Sequence, residues 1–221
     1  MFLLAFFIIS LIEIIAEYCE DKLVIWMTKP LILPFLILYY LKRSKKISGF
    51  FVVALLFSWI ANLMFIQNTF HYIFYGVVFF LIYRILVIYI IVSKAQMPNS
   101  FPLILGSIPF ISLYVIVTLY TYTILGNSVY LFMVQGIFTI FLGGFSLVNY
   151  VLTSNRQNAL LLISTMFMAF NQFIFLLKYY YEQANILQAV AMILFILGQF
   201  LLTRYMITTE KDKHKYDFLI K

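Results

Sequence analysis

Two oppositely charged side chains stand inside the apolar stretches nearest the amino end, Glu13 in the first and Lys29 in the second. A charged group deep in an apolar medium is costly, so each needs a partner or a task. Both lie eight positions from Asp21, which marks the turn between the two stretches. In a helical hairpin, equal distance from the turn means equal depth, here about 12 Å at about 1.5 Å per residue. Glu13 and Lys29 are therefore expected to meet. Two readings stand. In one, the pair only fixes the hairpin as a buried ion pair. In the other, Glu13 is a site carboxyl that exchanges a proton with substrate, assisted by His71 or Glu17, while Lys29 holds an anionic headgroup.

Other polar residues at depth extend this pattern. Pro30 follows Lys29 directly and Pro34 follows one turn later. Each proline removes a helix hydrogen bond and frees a carbonyl, which favours a kink facing a cavity. Asn62, His71 (after a short Gln67-Asn68 turn), Gln135 and Gln172 fall at comparable depth in the outer half of their segments. With Glu13 and Lys29 they are expected to form one polar cluster, although a single amide in a membrane helix is more often interhelical glue. Arg84 lies deeper and needs company from Tyr83, Gln199, backbone carbonyls or a lipid phosphate. Ser58 reads as packing. Gly136, Gly143, Gly144 and Ser146 put small residues on one helix and allow close helix contact.

The elements that carry these residues are helices in lipid. Hydrophobic residues make up 65% of the 221 and charged residues 10%, with a mean hydropathy of +1.03. A soluble domain has no way to hide that much apolar surface. Runs of about 20 residues without strand alternation predict an all-α bundle of about eight transmembrane helices. They are expected at Phe2–Glu17, Leu23–Leu41, Ile47–Ile66, Thr69–Val92, Phe101–Tyr122, Ser128–Leu152, Ala159–Tyr180 and Ile186–Ile207. Residues 1–207 would form a single transmembrane domain, leaving no room for a soluble catalytic one.

The amino end lacks the basic flank and cleavage pattern of a signal peptide, so it reads as a retained first helix. Lys42, Arg43, Lys45 and Lys46, then Lys94, Arg156, Arg204 and the lysines of the carboxyl-terminal stretch fall on one side. The opposite side has Lys22 and Lys178. The positive-inside rule then places both termini in the cytoplasm, with a bacterial inner membrane as the expected location. The net charge of +7 is spent on orientation and anionic lipid, so no nucleic-acid partner is expected. The tail from Thr208 alternates charge and is expected to be solvated and mobile. Tyr39, Tyr40, Tyr179, Tyr180 and Tyr181 at segment ends read as an interfacial belt. Cys19 is the sole cysteine, and His71 and His214 are far apart, so no metal site or cofactor is expected.

Several short segments give the chain a resemblance. They are Lys29-Pro30-Leu31, Ala54 to Asn62 (ALLFSWIAN), Tyr75 to Leu81 (YGVVFFL), Phe170-Asn171-Gln172-Phe173 and Gly198-Gln199-Phe200-Leu201. In their order and spacing the chain resembles the YhhN-like family, the lysoplasmalogenases. The resemblance implies an eight-helix membrane enzyme that cleaves the vinyl ether bond of lysoplasmalogens to a fatty aldehyde and a glycerophospho-headgroup. Such a bond opens by protonation of the vinyl carbon, and water captures the resulting oxocarbenium-like ion. That needs a general acid and a group to activate water.

The departures from the family pattern bear on that chemistry. Where the third-helix motif usually ends in Gly-Asp, this chain has Ala61-Asn62. Tyr83 stands where the family usually has a histidine, and Asn171-Gln172 aligns with a frequent Ser-Asp. An amide keeps shape and hydrogen bonds but does not exchange protons usefully near neutral pH. The expectation is a family scaffold without the family's hydrolytic chemistry, binding a lysophospholipid-like lipid or serving as a subunit of a membrane complex. The alternative is an active vinyl ether hydrolase using Glu13. A small transporter is the weakest reading, since no paired broken helices appear in corresponding halves.

Overall fold

The computed structural model describes residues 1–67, 69–125, 129–180 and 185–219. Among these, all regular structure is helical. The helices are α1 (Phe2–Cys19), α2 (Lys22–Arg43), α3 (Gly49–Met64), α4 (Phe70–Lys94), α5 (Ser100–Leu125), α6 (Val129–Leu152), α7 (Arg156–Tyr180) and α8 (Asn185–Leu219), with a 3-10 turn at Phe65–Gln67 after α3. Eight of the described helices are long and apolar enough to cross a membrane. Large apolar side chains such as Leu4, Leu11, Met27, Phe101, Ile104 and Ile137 point outward. In lipid this exposure carries no penalty, and every helix keeps its backbone bonds within itself.

The chain divides into two compact units, Met1–Lys94 with Thr203–Lys221, and Ala95–Leu202. In the first, the α1–α2 reversal is tight. Glu20 caps α1 in the left-handed conformation (φ 56°), with its N–H on the Ala16 carbonyl. Asp21 then caps α2, its carboxylate accepting from Leu23 N–H at 3.1 Å and Val24 N–H at 3.2 Å. Such a side chain satisfies amides that no helical carbonyl reaches.

The prolines leave α2 helical throughout its length. Pro34 has no N–H to give the carbonyl four residues back, which is that of Pro30. The indole N–H of Trp59 on α3 donates to that carbonyl at 2.8 Å. The freed backbone oxygen is thus a helix–helix contact, where a cavity wall was expected. Gly76 on α4 meets the Phe65 ring, which leaves no space for a methyl group.

The second unit is built on small residues. A methyl at Gly144 of α6 would stand 3.0 Å from the Ser107 Cα of α5, and Gly143 abuts the Phe110 ring. Gly136 abuts the Tyr114 ring on the same face. This is the close approach expected of the α6 glycines. Ser146 and Thr165 hydroxyls join α6 to α7 at 2.7 Å. Tyr114 stacks on Phe132 with ring centroids 4.9 Å apart, and Ala169 and Phe173 complete that core.

One boundary differs in kind from expectation. α8 does not stop near Ile207 but continues to Leu219. Glu210, assigned above to a solvated tail, is only 5% exposed. Its burial has a cause described below. The side chains of Lys178, Tyr179, Tyr180 and His214, together with Asn68, Ser128 and Tyr181, lie outside the described residues.

Candidate functional site

The α1–α2 hairpin brings Glu13 and Lys29 together as the spacing predicts. Lys29 Nζ lies 3.7 Å from Glu13 Oε1, and both side chains are buried. The closer partner is Glu17, whose Oε1 accepts directly from the same ammonium. Glu17 lies four residues after Glu13, one turn along the same helix face. Thr28, next to Lys29, donates to Glu13 Oε2 and also approaches the Val24 carbonyl at 2.7 Å. Two carboxyl groups therefore share one ammonium, and the Thr28 hydroxyl serves Glu13. Glu13 Oε1 has no hydrogen-bond donor among the described residues, and the buried Ser10 hydroxyl, three residues earlier, has no partner either. Orphaned buried oxygens are expensive, typically about 1–3 kcal/mol each.

His71 is exposed, its ring edge-on to Phe70 at 6.0 Å. The histidine opens α4 at the end of the span, where water and headgroups solvate it more cheaply than a protein interior does. Asn62 is buried, but its amide donates to the Ser58 carbonyl of its own helix at 2.9 Å. Tyr83 is buried, with its ring 5.2 Å from that of Phe80. Arg84 is 3% exposed and its guanidinium lies over the same Phe80 ring at 5.6 Å. A cation over an aromatic face gains about 2 kcal/mol when desolvated.

In the second unit, Thr139 of α6 meets the Gln172 side chain of α7 and the backbone carbonyl of Gln135 in its own helix. Its hydroxyl lies 2.8 Å from Gln172 Oε1 and 2.9 Å from the Gln135 carbonyl. Gln172 thus joins α7 to α6. Gln199 is 1% exposed on α8, beside Gly198, whose carbonyl accepts from the Ser164 hydroxyl at 2.9 Å.

A second polar cluster escaped sequence reading. Glu210 Oε1 accepts from the Tyr40 hydroxyl at 2.7 Å and from Lys94 Nζ at 3.1 Å. Its Oε2 accepts from Ser44 Oγ at 2.5 Å. Tyr40 also accepts from the Ser48 N–H at 2.9 Å. Tyr39 and Tyr40, expected in an interfacial belt, are both buried. Tyr40, Ser44 and Lys94 converge on one carboxylate, which explains why Glu210 leaves solvent.

Eight apolar helices with charged and amide groups paired between them define a polytopic helical membrane protein. The family is then fixed by its sequence profile, which matches residues 24–206. The chain belongs to the YhhN family. Searches of the curated proteins and of the solved structures give no match.

Proposed function

We propose that this YhhN protein binds a lysophospholipid-like lipid without hydrolysing it, alone or as a subunit of a membrane complex. The carrying observation is that two positions where the family resemblance implies carboxylates hold amides already engaged in structural bonds: Asn62 with its own helix and Gln172 with Thr139. A carboxylate there would exchange protons, whereas an amide only holds shape. The positive-inside rule, applied to the basic loops of the sequence, supports an orientation with both termini in the cytoplasm and a bacterial inner membrane as the location.

A second reading rests on Glu13. Its Oε1 lies buried without a hydrogen-bond donor, 3.7 Å from the Lys29 ammonium, while Thr28 holds Oε2. A carboxyl so positioned suits a general acid that protonates a vinyl ether.

One assay separates the two. Purified protein is given a lysoplasmalogen and aldehyde release is followed, beside Asn62→Asp and Glu13→Gln. The binding reading expects a silent parent that retains lysolipid, and activity gained in Asn62→Asp would mark the scaffold as still shaped for substrate. A parent that turns over, and that Glu13→Gln silences while staying folded, would overturn it in favour of the acid role.

A further inference from the structure

The end of the first unit that carries Lys46 and Lys94 holds a cleft of about 230 Å3 lined by Lys46, Ile47, Ser48, Lys94, Thr209 and Glu210. Its walls come from the α2–α3 loop, the last turn of α4 and the stretch of α8 around Thr209. Two lysines and one carboxylate line it. That carboxylate is already committed to Tyr40, Ser44 and Lys94. Lys94 spends one of its three N–H donors on Glu210, and Lys46 is exposed with no ion-pair partner among the described residues. The cleft therefore keeps an excess of positive charge and unused donors.

The backbone adds to this. Ser48 caps α3 without a side-chain hydrogen bond to the helix. Phe51 N–H already serves the Ser48 carbonyl, but the Ser48 hydroxyl and the first two amides of α3 remain available beside the lysines, at the positive end of the helix dipole. Donors of these kinds, in a space of this size, suit the oxygens of one phosphate group. The lysines also lie at the end of membrane-spanning segments, the depth at which lipid phosphates are found.

We infer that this cleft binds a phosphate-bearing anion, with Lys46 and Lys94 as its cations. The site is separate from the Glu13–Lys29 hairpin and does not depend on how that hairpin is read. The phosphate belongs either to an anionic lipid headgroup or to a soluble phosphate.

The test is thermal unfolding of the purified full chain in neutral detergent. It is titrated with dioctanoyl phosphatidylglycerol, with dioctanoyl phosphatidylcholine, and with inorganic phosphate against chloride of equal ionic strength. Lys94→Gln would also break the Glu210 pair, so Lys46→Gln is the informative variant and Lys45→Gln, outside the cleft, its control. A saturable rise in Tm with phosphatidylglycerol but not phosphatidylcholine identifies a lipid source. The same rise with phosphate but not chloride identifies a soluble one. In either case Lys46→Gln is expected to bind about fivefold more weakly, the worth of one lysine at a membrane surface, and Lys45→Gln to match the parent. The proposal is overturned if neither probe shifts the parent, if Lys46→Gln responds like the parent, or if Lys45→Gln weakens binding equally.

Discussion

The Tyr40 hydroxyl donates to Glu210 at 2.7 Å across 170 positions of sequence, tying α2 to α8. The same oxygen accepts from the Ser48 N–H, so it relays between a backbone donor and a carboxylate. Tyr40→Phe would remove a donor and orphan an amide at once. The expected loss is about 1–3 kcal/mol, read by unfolding in mixed micelles. Tyr18→Phe, at an exposed tyrosine, should change nothing.

The hairpin charges make a sharper case. Lys29→Met leaves Glu13 and Glu17 buried together without their cation. Breaking a buried pair in this way costs about 3–5 kcal/mol. Replacing all three, as Glu13→Gln, Glu17→Gln and Lys29→Met, should recover most of that loss, because no uncompensated charge remains. A triple variant as unstable as Lys29→Met would show that the pair contributes attraction well beyond its own desolvation.

Trp59 and Pro34 should be energetically coupled although they do not share a bond. Trp59→Phe deprives the Pro30 carbonyl of its donor, at an expected cost of about 1–2 kcal/mol. In a Pro34→Ala background the restored N–H serves that carbonyl, so the same Trp59 change should cost less. A double-mutant cycle measures the difference. Equal costs in both backgrounds would refute the account of why the indole is there.

Close packing of α5 on α6 predicts asymmetric glycine behaviour. Gly144→Ala forces the added methyl against Ser107, with a penalty of about 1–3 kcal/mol. Gly49→Ala meets open space and should be neutral or slightly stabilising. Tm values of the two variants in one detergent decide the matter.

How much of this was legible follows from how local each cause is. Eight apolar runs and the equidistance of Glu13 and Lys29 from Asp21 are local patterns, so the helices and their ion pair could be read. Glu17 as the tighter partner needed the rotation of α1, which spacing from a turn does not give. Glu210 was misplaced because the charges around it alternate as a solvated segment's do, while the cause of its burial lies at Tyr40, Ser44 and Lys94. Tyr40 was misread for the same reason from the other side. The prolines announced a free carbonyl, but nothing near them named Trp59 as its donor. His71 sits at the start of α4, where a difference of one turn separates a buried ring from an exposed one.

The reversal at Glu20 and Asp21 also bears on biosynthesis. A lone charged residue at the centre of an inserting helix carries a penalty of about 2.5–3.5 kcal/mol. α1 buries two carboxyls and α2 one ammonium, so each segment by itself carries a penalty on entering lipid. With only two residues between the helices, the ammonium reaches the carboxyls as soon as α2 has emerged. Entering lipid together as a hairpin, the two helices leave at most one carboxylate charge uncompensated in place of three isolated charges.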